Sequence, residues 1–401
     1  MSAADSGENR WLGTVLRGDT GKVRFLELFF DLVFVLGFTQ CTALMVHEPT
    51  WTGIVRGLFV LAMLWWAWAG YAWLTSVVDP EEGAVKIAMF AAMAALLVAA
   101  LAVPDAFGDL GLTFALAYGV VRMGHIALFV LASRGTPDLR HSVTTLAVST
   151  AIAIGLLVAA SFRDGVAQGA FWAVAILIDF GGPALFGVEG WRLMPAHFAE
   201  RHGLIIILAL GESIVVLGVG ASAGITGGVI VAAVLGVALA SALWWMYFDV
   251  VARVTERRLI RAAPGRGRNA LARDSYSYLH FPMAAGIVLV AVGLENTLAH
   301  VDEPLEMVAA FALLGGVALY LLAHVALRLR NAHSVNPQRL VLAILLLALV
   351  PLASRLTSLI SLVVVSVMSW LLVAFETRAY GAARVDLRHE TSAEPGPAPE
   401  T

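Results

Sequence analysis

The chain has 401 residues, 60% of them hydrophobic and 14% charged, with a net charge of −3 and a mean hydropathy of +0.84. Soluble domains carry about 45–50% apolar and about 25% charged residues, so this composition excludes a soluble domain and marks an integral membrane protein. The small net charge gives no basis for nucleic-acid binding. The single cysteine, Cys41, excludes an intrachain disulfide and a cysteine-based zinc site.

In chain order, residues 1–24 carry Asp5, Glu8 and Asp19 among their bases and lack a short apolar core. A removable signal peptide is not expected there, and the first span itself should direct insertion. Twelve apolar segments follow, at about 25–46, 55–78, 84–103, 110–132, 142–161, 168–188, 202–222, 227–251, 276–298, 306–328, 339–353 and 358–377. Most approach the ~20 residues that span a ~30 Å hydrocarbon core. The eleventh is short and contains Pro351 near its end. The expected fold class is all-α, a polytopic bundle of about 12 transmembrane helices. It is read as one half over 25–188, a second half over 189–377, and a disordered tail over 378–401.

With a cytoplasmic N-terminus, 22 of the 26 Lys and Arg fall at or beside inner connections, seven of them within 253–274. Such a bias sets orientation, so both termini are expected in the cytoplasm. The halves echo each other: LWWAWA (64–69) matches LWWMYF (243–248), and HIAL (125–128) matches HVAL (324–327). A parallel six-plus-six repeat, with 253–274 inserted in the second half, accounts for both matches.

Ionisable groups within the spans are few. Glu27 and Asp31 open the first span in ELFFDLVFV (27–35), four residues apart and therefore on one helix face. Arg122 and His125 share a face of the fourth span, Asp179 lies in the sixth, Glu212 in the seventh, and His280 near the inner end of the ninth. An intramembrane charge costs about 2.5–3.5 kcal/mol on insertion scales, so each such residue is a functional candidate by default. Four deep carboxylates against one deep arginine predict an acid-rich interior, balanced by a cation or by protons. Arg122 is expected to pair with Asp179 or Glu212 rather than with Glu27 or Asp31, from their depth. Gly181-Gly182-Pro183 after Asp179, Gly211 before Glu212 and Pro282 after His280 predict broken helices of the kind that hold transported solutes. Trp65, Trp66, Trp68, Tyr71 and Trp73 form an aromatic group in the second span, suited to helix packing or to a cavity wall. No HExxH, Walker or complete GxSxG motif is present; Gly211-Glu212-Ser213-Ile214-Val215 lacks the last glycine.

ELFFDLVFV, LIDFGGP (177–183), AERHGLIIILALGESI (199–214) and YSYLHFPMAAGIVL (276–289) together resemble the bacterial low-temperature-requirement A family. The resemblance runs from about Lys22 to Tyr380. It implies a multi-pass protein of the bacterial inner membrane, linked by name to growth in the cold, and implies no chemical activity. The family's motif positions fall on Glu27, Asp31, Asp179, Arg201, His202, Glu212, Ser213 and His280 of this sequence.

The functional expectation is a cation- or proton-coupled secondary transporter, with carboxylates binding the coupling ion and histidines relaying protons. A passive ion channel is the alternative, and a membrane enzyme or stress-related interaction protein stands behind it. The expected partners are the lipid bilayer and a small solute or ion, with no cofactor and no resident metal; the sequence does not give the oligomeric state.

Overall fold

The structure, a computed structural model, describes residues 23–133, 136–186 and 189–379. Thirteen helices run through these residues: α1 (Phe25–His47), α2 (Trp51–Thr75), α3 (Gly83–Ala102), α4 (Gly111–Ala132), α5 (Pro137–Ala160), α6 (Gly165–Phe186), α7 (Pro195–Gly220), α8 (Gly227–Phe248), α9 (Val251–Arg261), α10 (Arg266–Ala299), α11 (Met307–Ala332), α12 (Pro337–Ala353) and α13 (Ser358–Ala379). Eleven stretches are long and apolar enough to cross a membrane; α12, at 17 residues, is shorter. Leu116, Val120, Ile230, Val234 and Leu371 are among many large apolar side chains left exposed along these helices, as a lipid-facing surface requires.

Local chemistry sets the helix starts. Thr50 Oγ1 accepts from Gly53 N, Thr226 Oγ1 from Val229 N and Asn336 Oδ1 from Arg339 N, each relieving an orphan donor of a first turn. Pro137, Pro195 and Pro337 occupy first turns, where the missing N–H costs nothing.

Two expectations about helix continuity are corrected. α6 runs through Gly181-Gly182-Pro183, and α7 runs through Gly211 without interruption. The irregular backbone lies elsewhere, in π turns at Arg273–Tyr278 of α10 and Phe311–Gly315 of α11. The span expected from residue 202 starts at Pro195, because Arg201 and His202 are buried inside the protein rather than left at the membrane edge. Part of 253–274 is also helical. α9 carries Arg253, Arg257, Arg258 and Arg261, buries Thr255 and Leu259, and packs on α7 and α8. The terminal segments 1–22 and 380–401, including most of the tail read as disordered, lie outside the described residues.

α10 runs through the centre, packed on α7 and α11 and also against α1 and α2. Its crossing with α11 is close. A Cβ at Gly286 would stand 2.6 Å from Gly316 O, one at Gly316 2.7 Å from Gly286 O, and one at Gly293 2.6 Å from Leu313 Cα. Small residues permit such backbone approach, which drives helix association where lipid removes the hydrophobic force.

The first six helices pack as α1–α2, α1–α3, α3–α4, α4–α5, α5–α6 and α2–α6. Each pair has a counterpart among the last six long helices: α7–α8, α7–α10, α10–α11, α11–α12, α12–α13 and α8–α13. The two sets meet chiefly through α1 against α7 and α10.

Candidate functional site

The structure distributes the sequence candidates over three polar clusters. The first joins α1, α2 and α7. Glu27 lies in the first turn of α1, where its Oε2 accepts from Arg24 N at 2.7 Å. Its Oε1 accepts from Arg201 Nη1 at 2.9 Å and from His197 Nε2 at 2.9 Å. One turn on, Asp31 Oδ1 accepts from Arg201 Nη2 at 2.6 Å and Trp68 Nε1 at 2.8 Å. Glu27, Asp31, His197 and Arg201 are all essentially unexposed. A guanidinium forked between two carboxylates is a strong, geometry-defining contact. The excess of acid is smaller than the sequence suggested: Arg201, counted from sequence among the inner flanking bases, is a buried counter-ion shared by Glu27 and Asp31.

The second cluster joins α4, α5 and α6. Arg122 Nη2 donates to Asp179 Oδ1 at 2.8 Å and to Thr150 Oγ1 at 2.9 Å. Thr150 Oγ1 is 2.8 Å from the same Oδ1, and Tyr118 OH donates to Asp179 Oδ2 at 2.6 Å. Of the two partners expected for Arg122, Asp179 is found and Glu212 is not. His125 lies one turn along α4, buried, with its ring beside the backbone of Gly70. Arg122 and His125 line a narrow cavity of about 40 Å³ with Trp66, Gly70, Trp73, Trp191, Arg273 and Ser277. Proximity explains Gly70, because a Cβ there would lie 2.9 Å from Arg122 Nη1 and 3.1 Å from His125 Nε2.

The third cluster lies where α1 meets α7. Glu212, 0% exposed, accepts at Oε2 from Thr39 Oγ1 at 2.7 Å. Thr42 Oγ1 lies beside the same carboxylate, and Ser213 Oγ is buried without a hydrogen-bond partner. Among the described residues no basic side chain forms an ion pair with it. The acids Glu27, Asp31 and Asp179 each have an arginine. Electrostatically, Glu212 feels Glu295 of α10, and Glu295 feels His47 at the exposed end of α1.

His202 and His280 belong to an aromatic nest. Their rings are 5.5 Å apart, with Tyr276 stacked on His280 at 4.9 Å and Trp68 edge-on to His202 at 4.9 Å. Tyr247 OH donates to His280 Nε2 at 2.7 Å, while His280 Nδ1–H donates to Ser275 O at 2.7 Å. The π turn makes that last contact available, since its wider hydrogen-bond register spares carbonyls for side chains. Ser277 O likewise takes Trp65 Nε1 at 2.8 Å, and Ser277 Oγ takes Trp73 Nε1 at 2.9 Å.

Sequence reasoning missed His197, Trp68 as an Asp31 ligand, Tyr118, Thr150, Thr39 and Thr42. A signal existed for two of them: His197 and Arg201, like Tyr118 and Arg122, are four apart and share a face. It also missed the buried pair of Arg339 with Glu376, at 2.7 Å between α12 and α13.

The profile of the bacterial low temperature requirement A protein (LtrA) matches residues 22–374. The chain belongs to the LtrA family. An uncharacterized protein of Rhizobium meliloti (strain 1021), RA0937, is 29% identical over 319 residues, covering 76% of each chain. No solved structure matches. Family membership and the many apolar helices make the chain a multi-pass integral membrane protein of a bacterial family.

Proposed function

We propose that this LtrA-family protein is a secondary carrier of the bacterial inner membrane, driven by a proton or a monovalent cation that binds at Glu212. The observation that carries the reading is the lone carboxylate. A buried ion without a partner is far costlier than a paired one, so Glu212 must acquire a proton or a cation. The Glu212 carboxylate, the hydroxyls of Thr39 and Thr42 beside it and the unpartnered hydroxyl of Ser213 supply oxygen ligands on two helices. Placed at the junction of α1 and α7, the ion is well situated to bias one set of six helices against the other, as in carriers built from two repeats.

The orientation belongs to the same proposal: the end carrying α9 and both termini faces the cytoplasm, by the distribution of arginine. The matching helix neighbours of the two sets support the six-plus-six repeat. Glu27 and Asp31 are not assigned to the coupling ion, since both already share Arg201 as a counter-ion.

The test is charge movement in proteoliposomes under an imposed proton or sodium gradient. Wild-type protein is expected to give a transient current, and Glu212→Gln to abolish it while the thermal unfolding midpoint stays close to that of the wild type. Stepwise single-channel current would replace the carrier by a pore. Equal loss of midpoint and current in Glu212→Gln would return Glu212 to a structural role.

A further inference from the structure

Where α2 and α6 of the first set meet α10 and α11 of the second, the surface carries an apolar groove. It has two lobes of about 430 and 450 Å³ that share Ala62, Ile176, Leu177 and Phe281. Leu58, Phe59, Ala173 and Leu319 complete the wall of the first lobe, and Gly181, Ala184 and Tyr278 are part of the second. Small side chains form the floor: Ala62 and Ala285 are 4% and 2% exposed, whereas Leu177 at the lip is 71% exposed. The Tyr278 hydroxyl is occupied, because it donates to Phe180 O.

The length of the groove is informative. Along α6 its wall runs from Ala173, in mid-helix, to Ala184 in the last turn. At ~1.5 Å per residue this is about 16 Å, close to one leaflet of a ~30 Å hydrocarbon core. The end nearer α9 is basic. Arg273 Nη1 donates to Pro183 O at 2.8 Å, beside Ala184, and its Cζ lies 5.8 Å from the centre of the Tyr278 ring. Arg273 and Arg330 share the single carboxylate of Asp274, at 2.7 and 2.9 Å, so this trio carries one surplus positive charge. Both arginine side chains are partly exposed, at 16% and 36%. A guanidinium has five N–H donors, so each keeps some beyond these contacts.

We propose that the groove binds an anionic phospholipid from the leaflet on the α9 side. One acyl chain lies along Ala62, Leu177 and Phe281, and the phosphate lies against Arg273 and Arg330. An apolar channel one leaflet deep, closed at its surface end by arginine, matches an acyl chain joined to a phosphate. The chain would touch helices of both six-helix sets and so bridge them. The inference is independent of the ion at Glu212.

The experiment releases the full chain from nanodiscs of equal phosphatidylglycerol and phosphatidylcholine with matched acyl chains, and counts retained lipids by native mass spectrometry. Unfolding midpoints in detergent are measured with each lipid, with diacylglycerol and with inorganic phosphate. One phosphatidylglycerol is expected to be retained per chain, about tenfold in preference to phosphatidylcholine, and to raise the midpoint more than any other addition. Arg273→Gln with Arg330→Gln is expected to remove the preference. Arg330→Gln alone, which keeps the Arg273 link to α6, is expected to remove part of it. Ala62→Leu fills the floor and is expected to release both lipids, and midpoints without added lipid show which variants are folded. Equal retention of the two lipids, a preference unchanged in the arginine variants, or retention unchanged in Ala62→Leu would overturn the assignment. So would a midpoint raised as much by inorganic phosphate as by phosphatidylglycerol. A two-chain species that Ala62→Leu dissociates would give the groove to a second copy instead.

Discussion

At the residue scale, the ion pairs divide the buried charges into those that hold the bundle together and one that does not. Arg122 and Asp179 are both at most 1% exposed and share Thr150 and Tyr118. Removing one partner leaves an uncompensated charge in an apolar interior, at a cost of about 3–5 kcal/mol. Arg122→Gln and Asp179→Asn are each expected to lower the unfolding midpoint sharply, and the double variant to recover much of the loss. A double-mutant cycle in detergent measures this, and coupling below about 0.5 kcal/mol would deny the pair. The same cycle between Arg122→Gln and Glu212→Gln is expected to be additive. Arg201→Gln is expected to reduce folded protein more than Asp31→Asn. The first strands two carboxylates, whereas the amide oxygen introduced by the second can still accept from Trp68. Quantified membrane expression and midpoint for the two variants check the order, and a reversed order would unseat Arg201 as the shared counter-ion.

At the scale of the elements, α10 is where backbone and site meet. Its glycines set the distance to α11, and its π turn offers Ser275 O and Ser277 O to His280 and Trp65. Gly286→Ala places a methyl 2.6 Å from Gly316 O and 2.9 Å from Tyr320 N. Both contacts are backbone, so neither rotates away, and destabilisation of about 1–3 kcal/mol is expected. Gly211→Ala in α7, with open space around its Cβ position, is expected to be neutral or slightly stabilising through helix propensity. Thermal unfolding of both in one detergent tests the contrast; equal effects would contradict the close crossing.

At the scale of the molecule, the two six-helix sets each carry a cavity, and two wall residues of one have sequence counterparts in the other. Trp66 and His125 line the one between α2, α4, α5 and α6. Trp245 and His324, their counterparts in the LWW and H-x-A-L matches, line a larger one of about 340 Å³ with Arg339 and Glu376. Repetition of sequence, neighbour order and cavity wall together support the repeat. Orientation has its own test. Reporter fusions within 253–274 are expected to read cytoplasmic, and fusions near 48, 224 and 302 external; the reverse pattern would invert the bundle and the direction from which ions reach Glu212.

Span number, all-helical class and the identity of most polar positions were legible in the amino-acid order. Hydropathy is additive along the chain, and the cost of a charge in lipid makes every intramembrane acid or base stand out against its neighbours. Matched depth narrowed the partner of Arg122 to Asp179 or Glu212, and only the packing chose Asp179. Which carboxylates are neutralised did not follow, since Arg201 and His197 lie before the apolar run and look like flanking residues until α7 is seen to begin at Pro195. Helix breaks were misplaced for a related reason: Gly and Pro mark where a helix can bend, whereas the π turns form where packing and side-chain donors favour an irregular register. Composition and order thus determined the membrane, the helices and the polar inventory. Only the packing of α1, α7 and α10 decided that Glu212 stands without a base among the described residues, because counter-charge depends on distances between helices that the order of residues does not encode.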